Sequence, residues 1–117
     1  MSKFFTRHSH LFLVVGIIIS FVILSVGSAL RESLTYDEIV HAEEGLNHLQ
    51  KHAFTVDPYN PPLVRELQML PIALGASKDK LFPARFVTIF LGTSLLFLMY
   101  GTARRYFGKG VALVALF

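Results

Sequence analysis

The sequence predicts an all-α integral membrane protein: two transmembrane helices, a truncated third, and an extracytoplasmic loop of two amphipathic interfacial helices between the first two. Three observations carry this. Leu11 to Leu30 is a run of twenty residues without a charge, and Phe86 to Ala103 is a second of eighteen. About 20 apolar residues cross a bilayer core as a helix, and a lipid-exposed span must be helical to satisfy its own backbone. Hydrophobic residues make up 53% of the chain and mean hydropathy is +0.54, richer than the roughly 45–50% usual in soluble domains. Finally, all eight acidic residues fall between Arg31 and Arg85.

Residues 1–10 form a short polar and aromatic start. The first span, 11–30, is longer than the roughly 7–15-residue apolar core of a cleavable signal peptide, so it reads as a retained helix. The loop, 31–85, holds eight acidic and six basic residues, a net of −2. Lys3, Arg7, Arg104, Arg105 and Lys109 give the flanks a net of +5. Lys and Arg accumulate on the cytoplasmic side of span ends, which places both flanks inside and the loop outside. Lys78, Lys80 and Arg85, at the outer mouth of the second span, count against that orientation. The second span is 86–103, followed by a basic, glycine-punctuated turn at 104–110. Residues 111–117 begin another apolar run, only about 10 Å of helix. The chain therefore reads as the N-terminal part of something longer, or as a truncated reading frame. Without cysteine there is no disulfide or thiolate chemistry. No basic stripe with interleaved aromatics is present, so nucleic acid is not an expected partner.

Two helices are expected in the loop. Thr35-Tyr-Asp-Glu38 is a capping box, with a Thr N-cap and a Glu three residues on. Ile39, Ala42, Leu46, Leu49 and Ala53 then recur at helical spacing, and the helix should end near Lys51-His52. The opposite stripe is Asp37, His41, Glu44 and His48. It reads as a solvated polar face, since amphipathicity alone produces this spacing. Imidazole and carboxylate one turn apart can also share a metal ion, but no HExxH pattern supports one and no cofactor is called for. His8, His10 and His52 read as interfacial or tail residues. The second helix starts after Asp57-Pro-Tyr-Asn60-Pro-Pro-Leu, with Asn60 as N-cap and Pro61 at the first helical position. Leu63, Leu67, Leu70 and Leu74 form its apolar stripe, suited to lying in the membrane interface. Pro71 should kink it by removing the donor for the Leu67 carbonyl.

Glu38 is accounted for by the capping box, and any first-turn acid gains from the helix dipole. Asp37 either serves that same end or stands as a general base at the membrane surface. Arg65, one turn into the second helix, suits a phosphate and equally suits snorkelling into water.

In order and spacing these residues resemble the start of a GT-C glycosyltransferase of the protein O-mannosyltransferase and aminoarabinose transferase superfamily, bacterial type. The resemblance rests on Asp37-Glu38 soon after a first span, then His41 and Gly45, then Asn60-Pro61-Pro62-Leu63, then Leu70-Pro71 before a second span. It implies a multi-span enzyme that moves a sugar from a polyprenyl-phosphate donor to an acceptor on the extracytoplasmic side, with inversion. It also implies that Asp37 is the catalytic carboxylate and Glu38 its support. Arg65, Asn60 and His41 are the candidates for contacting the lipid phosphate or donor. Where relatives carry His or Lys before Pro-Pro-Leu, this chain has Asn60, a neutral partner at most. With two spans and part of a third, this stretch alone is expected to be inactive. The rival reading is a small non-enzymatic two-span membrane protein acting as subunit or scaffold.

Overall fold

A computed structural model describes residues 2–33, 35–52, 61–76 and 81–117. All regular structure there is helical: α1 Ser2–Arg31, α2 Tyr36–Lys51, α3 Pro62–Ala73, α4 Leu81–Phe107 and α5 Lys109–Val114. Helices α1 and α4 contain stretches long and apolar enough to cross a membrane, Ser9–Arg31 and Phe82–Phe107. Ala53, Asn60, Lys78 and Lys80 lie outside the described residues. The chain divides into two compact units, residues 1–26 with 90–117, and residues 27–89.

In the first unit α4 continues through Arg104-Arg105 and stops at Gly108, whose φ of 87° only glycine adopts without strain. α5 follows directly. Val14, Ile18, Tyr100, Ala112 and Leu116 form the buried cluster of this unit. His10, read from sequence as an interfacial or tail residue, has its Nε2 2.8 Å from the Tyr100 hydroxyl. The Arg104 guanidinium sits 5.9 Å from the Tyr100 ring centre, within cation–π range.

The second unit is built on the α2–α3 pair. The capping box forms, with the Thr35 N–H donating to Glu38 Oε2 at 3.2 Å. α2 ends where expected: His52 turns into the left-handed region (φ 51°) and its N–H donates to the His48 carbonyl. α3 starts one residue later than the sequence suggests. Pro61 takes the cap position at ψ 129° and Pro62 is the first helical residue, because a residue preceding proline is pushed out of the helical region. Pro71 sits inside α3, and the helix ends two residues later, at Ala73. There Gly75 (φ 90°) closes a Schellman motif, with Gly75 N–H on the Ile72 carbonyl and Ala76 N–H on that of Pro71.

The polar stripe of α2 is not a wet face. Asp37 and Glu43 are exposed, but Glu44 is 1% and His48 4% exposed. On α3, Arg65 and Met69 are buried with them, whereas Leu63, Leu70 and Leu74 are exposed. The cause is Gly45. A Cβ there would stand 2.6 Å from the Arg65 carbonyl oxygen and 2.7 Å from Met69 Cγ. The backbones approach most closely where α2 has no side chain, and Glu44 and His48 flank that point. Once buried they need partners. His48 Nε2 lies 3.2 Å from Glu44 Oε2, and His48 Nδ1 3.7 Å from Glu66 Oε1.

Gly45→Ala should therefore destabilise this pair by about 2 kcal/mol through overpacking, although alanine favours helix by up to about 1 kcal/mol. Hydrogen exchange should quicken across α2 and α3 while amides of the first unit stay protected. Unchanged exchange in α2 and α3 would refute the close approach.

Candidate functional site

Arg85, in the first turns of α4, organises the site. Its Nε donates to Glu38 Oε1 (2.9 Å) and its Nη2 to Glu38 Oε2 (2.8 Å), a two-pronged pair. Its Nη1 donates to the carbonyls of Ala29 and Glu32, both at 2.8 Å, and Nη2 also to that of Ser33 at 3.2 Å. A guanidinium has five N–H donors, and these five bonds engage all of them. Carbonyls at a helix C-terminus lack intrahelical donors and carry the negative end of the dipole. Arg85 meets that need at the end of α1 while anchoring the start of α2.

The two adjacent acids meet different fates. Hydrogen bonding to Arg85 holds the Glu38 carboxyl down at about 2, against the upward pull of desolvation and with help from the Thr35 N–H. At neutral pH Glu38 is thus a charged structural group. Asp37, one residue earlier, is exposed and makes no hydrogen bond or ion pair with the described residues. The helix start fixed by Glu38 carries Asp37 as an available carboxylate.

Beside this anchor lies a small open cleft lined by the polar Glu38, His41, Gln68, Arg85 and Thr88 together with Ala42, Met69 and Ala84. A second, wider and shallower hollow is lined by His41, Pro61, Val64, Arg65 and Gln68. His41 and Gln68 line both, so the hollows adjoin at these two residues. Glu38, His41 and Arg65 therefore share one neighbourhood, while Asp37 lines neither hollow and Asn60 is outside the described residues. Among the described residues no three His or acidic groups converge as metal ligands.

Sequence reasoning missed Arg85, Gln68 and Thr88. Arg85 registered only as a charge at odds with the inferred orientation, because its partner Glu38 is 47 residues away. An arginine at the mouth of an apolar helix is itself a signal, since its charge needs a partner there. Compared with known proteins, the chain matches no family model, no curated protein and no solved structure.

The Glu38–Arg85 pair makes stability pH-dependent with a definite sign. A carboxyl lowered from 4.5 to about 2 contributes stability that is full above 4.5 and is lost as pH falls towards 2. Because about a third of the Glu38 side chain is wet, the loss should be modest, about 1–2 kcal/mol. Amide exchange in the first turn of α2, followed between pH 5 and 2 in lipid nanodiscs, should show it. Glu38→Gln should flatten that dependence, and an equally steep response in the variant would rule out Glu38 as its source.

Proposed function

We propose that this chain is the N-terminal module of a membrane glycosyltransferase that moves a sugar from a polyprenyl-phosphate donor to an acceptor hydroxyl, with inversion. α1 and α4 cross the plasma membrane, the N-terminus is cytoplasmic, and the 31–85 segment faces the extracytoplasmic side. The observation that carries this reading is the contrast between Asp37 and Glu38. One carboxylate is consumed by a five-bond arginine anchor, and its neighbour is left accessible at a fixed helix start.

In the proposed reaction Asp37 accepts the proton of the acceptor hydroxyl as that oxygen attacks the anomeric carbon. The bond from that carbon to the phosphate oxygen breaks, and the phosphate departs with the electron pair. A phosphate leaving group needs cations and donors more than a strong acid. Arg65 and His41, which line the wider hollow, are assigned that role. Glu38 acts as a positioning residue. The exposed leucines of α3 lie on the lipid surface, keeping the hollow within reach of a lipid-borne donor.

Asp37→Asn tests this in the protein made from its complete reading frame. Sugar transfer from a radiolabelled polyprenyl-phosphate donor should fall at least about 100-fold, the lower range for a lost general base, with expression and helix content unchanged. Undiminished transfer would remove Asp37 from the chemistry. If no transfer occurs in the native protein either, the non-enzymatic two-span reading takes over.

A further inference from the structure

The unit of residues 1–26 and 90–117 carries charge of one sign. It contains no Asp or Glu, against Lys3, Arg7, Arg104, Arg105 and Lys109. These cations fall at one end of the unit. His10 stands beside Tyr100, and the Phe21 ring lies against Gly92, where an added Cβ would be 3.2 Å from Phe21 Cζ. α1 and α4 are therefore antiparallel, so α1 traced back from His10 and α4 traced on from Tyr100 point the same way. Arg7 and Lys3 lie about one and two helical turns back from His10, and Arg104 lies about one turn on from Tyr100.

The two arginines near the end of α4 are restrained, yet their donors are open. The Arg104 guanidinium lies 5.9 Å from the Tyr100 ring centre and that of Arg105 5.8 Å from the Tyr106 ring centre, both within cation–π range. Both side chains are exposed, and neither guanidinium makes a hydrogen bond or ion pair with the described residues. The negative end of the α4 dipole favours cations here. Arg85 donates to the carbonyls at the end of α1, whereas Arg104 and Arg105 donate to no such carbonyl among the described residues. With no carboxylate in this unit either, their N–H groups are open to an external anion.

Position selects the source of that anion. The apolar stretch Phe82–Phe107 has 26 residues, about 39 Å of helix. That exceeds the roughly 30 Å hydrocarbon core and approaches the roughly 40–45 Å that includes both headgroup layers. The last turn of α4 thus falls at headgroup depth, where Tyr106 and Phe107, each 70% exposed, serve as interfacial aromatics. Lys109, also exposed, adds a third charge just past Gly108. We infer that Arg104, Arg105 and Lys109 form a docking site for the phosphate of an anionic phospholipid headgroup. A guanidinium presents paired N–H donors that match two phosphate oxygens. A zwitterionic headgroup brings its own cation and is attracted less. From the proposed function this takes only the membrane-spanning of α4; neither the transfer chemistry nor the orientation enters.

The test uses the full chain in phosphatidylcholine vesicles carrying a trace of spin-labelled phosphatidylglycerol or, in parallel, spin-labelled phosphatidylcholine. Electron paramagnetic resonance reads the fraction of each label immobilised on the protein. Phosphatidylglycerol should be preferred at least about fivefold, the effect of one basic residue near an anionic surface. Replacing both arginines by Gln (Arg104→Gln with Arg105→Gln) should bring the preference close to parity. Replacing both by Lys keeps the charge, and with it the insertion, and so covers the case in which the Gln pair misfolds. The Lys pair should keep only part of the preference, because an ammonium lacks the paired donors. No preference in the native chain, an unchanged preference in the Gln pair, or full retention in the Lys pair would each overturn the inference. Loss of the preference in inorganic phosphate, but not in chloride of equal ionic strength, would assign the site to a free anion and overturn it too. A chain that alkaline carbonate strips from the vesicles would remove both the spanning and this site. The transfer reaction fails separately: an arginine-dependent lipid preference without sugar transfer leaves this site standing, and Asp37-dependent transfer without the preference removes this site alone.

Discussion

The unit formed by residues 27–89 depends on one side chain being fully used. Arg85 spends its five donors on one carboxylate and three backbone carbonyls. These groups come from the end of α1, the link to α2 and the first turn of α2. An arginine at the mouth of an apolar helix is expensive to leave unpaired, and carbonyls at a helix end are expensive to leave without donors. Each cost offsets the other, and the result is a rigid corner. Lysine could not replace it, since a single ammonium with three donors cannot serve a bidentate carboxylate and three carbonyls together.

That corner separates two neighbouring acids that sequence alone treats as a pair. Glu38 answers both the Thr35 N–H and the Arg85 guanidinium, so its role is to set where α2 begins. Asp37 inherits that helix start and has no partner among the described residues. In the proposed reaction Asp37 accepts a proton, and the Glu38–Arg85 bond fixes the helix start that carries it. The second constraint is Gly45, which brings α3 close to α2 and so places Arg65 and Gln68 opposite His41, on the walls of the two hollows.

Much of this is legible in the sequence, and the remainder is not for physical reasons. The apolar runs show through composition, and Thr35 with Glu38 marks the start of α2 because a capping box is a local device. The pair Pro61-Pro62 marks the start of α3 to within one residue. What periodicity does not supply is which face of α2 meets α3. It shows that Asp37, His41, Glu44 and His48 share a side. It does not show that Gly45 draws α3 towards Glu44 and His48, while Ile39 stays exposed. Where lipid is a second apolar environment, leucines need not face the protein interior. The Glu38–Arg85 pair and the Gln68–Thr88 bond join residues 47 and 20 apart, and no local rule links positions so distant.

The most direct test of this account is a double-mutant cycle on Glu38→Gln and Arg85→Met, read as the free energy of opening of the α2 first-turn amides in nanodiscs. If Arg85 holds the start of α2 through Glu38, the two substitutions should couple by about 1–2 kcal/mol, so that the double variant is little worse than Arg85→Met alone. Strictly additive effects would contradict it, leaving Arg85 a cap for α1 with no hold on the helix that carries Asp37.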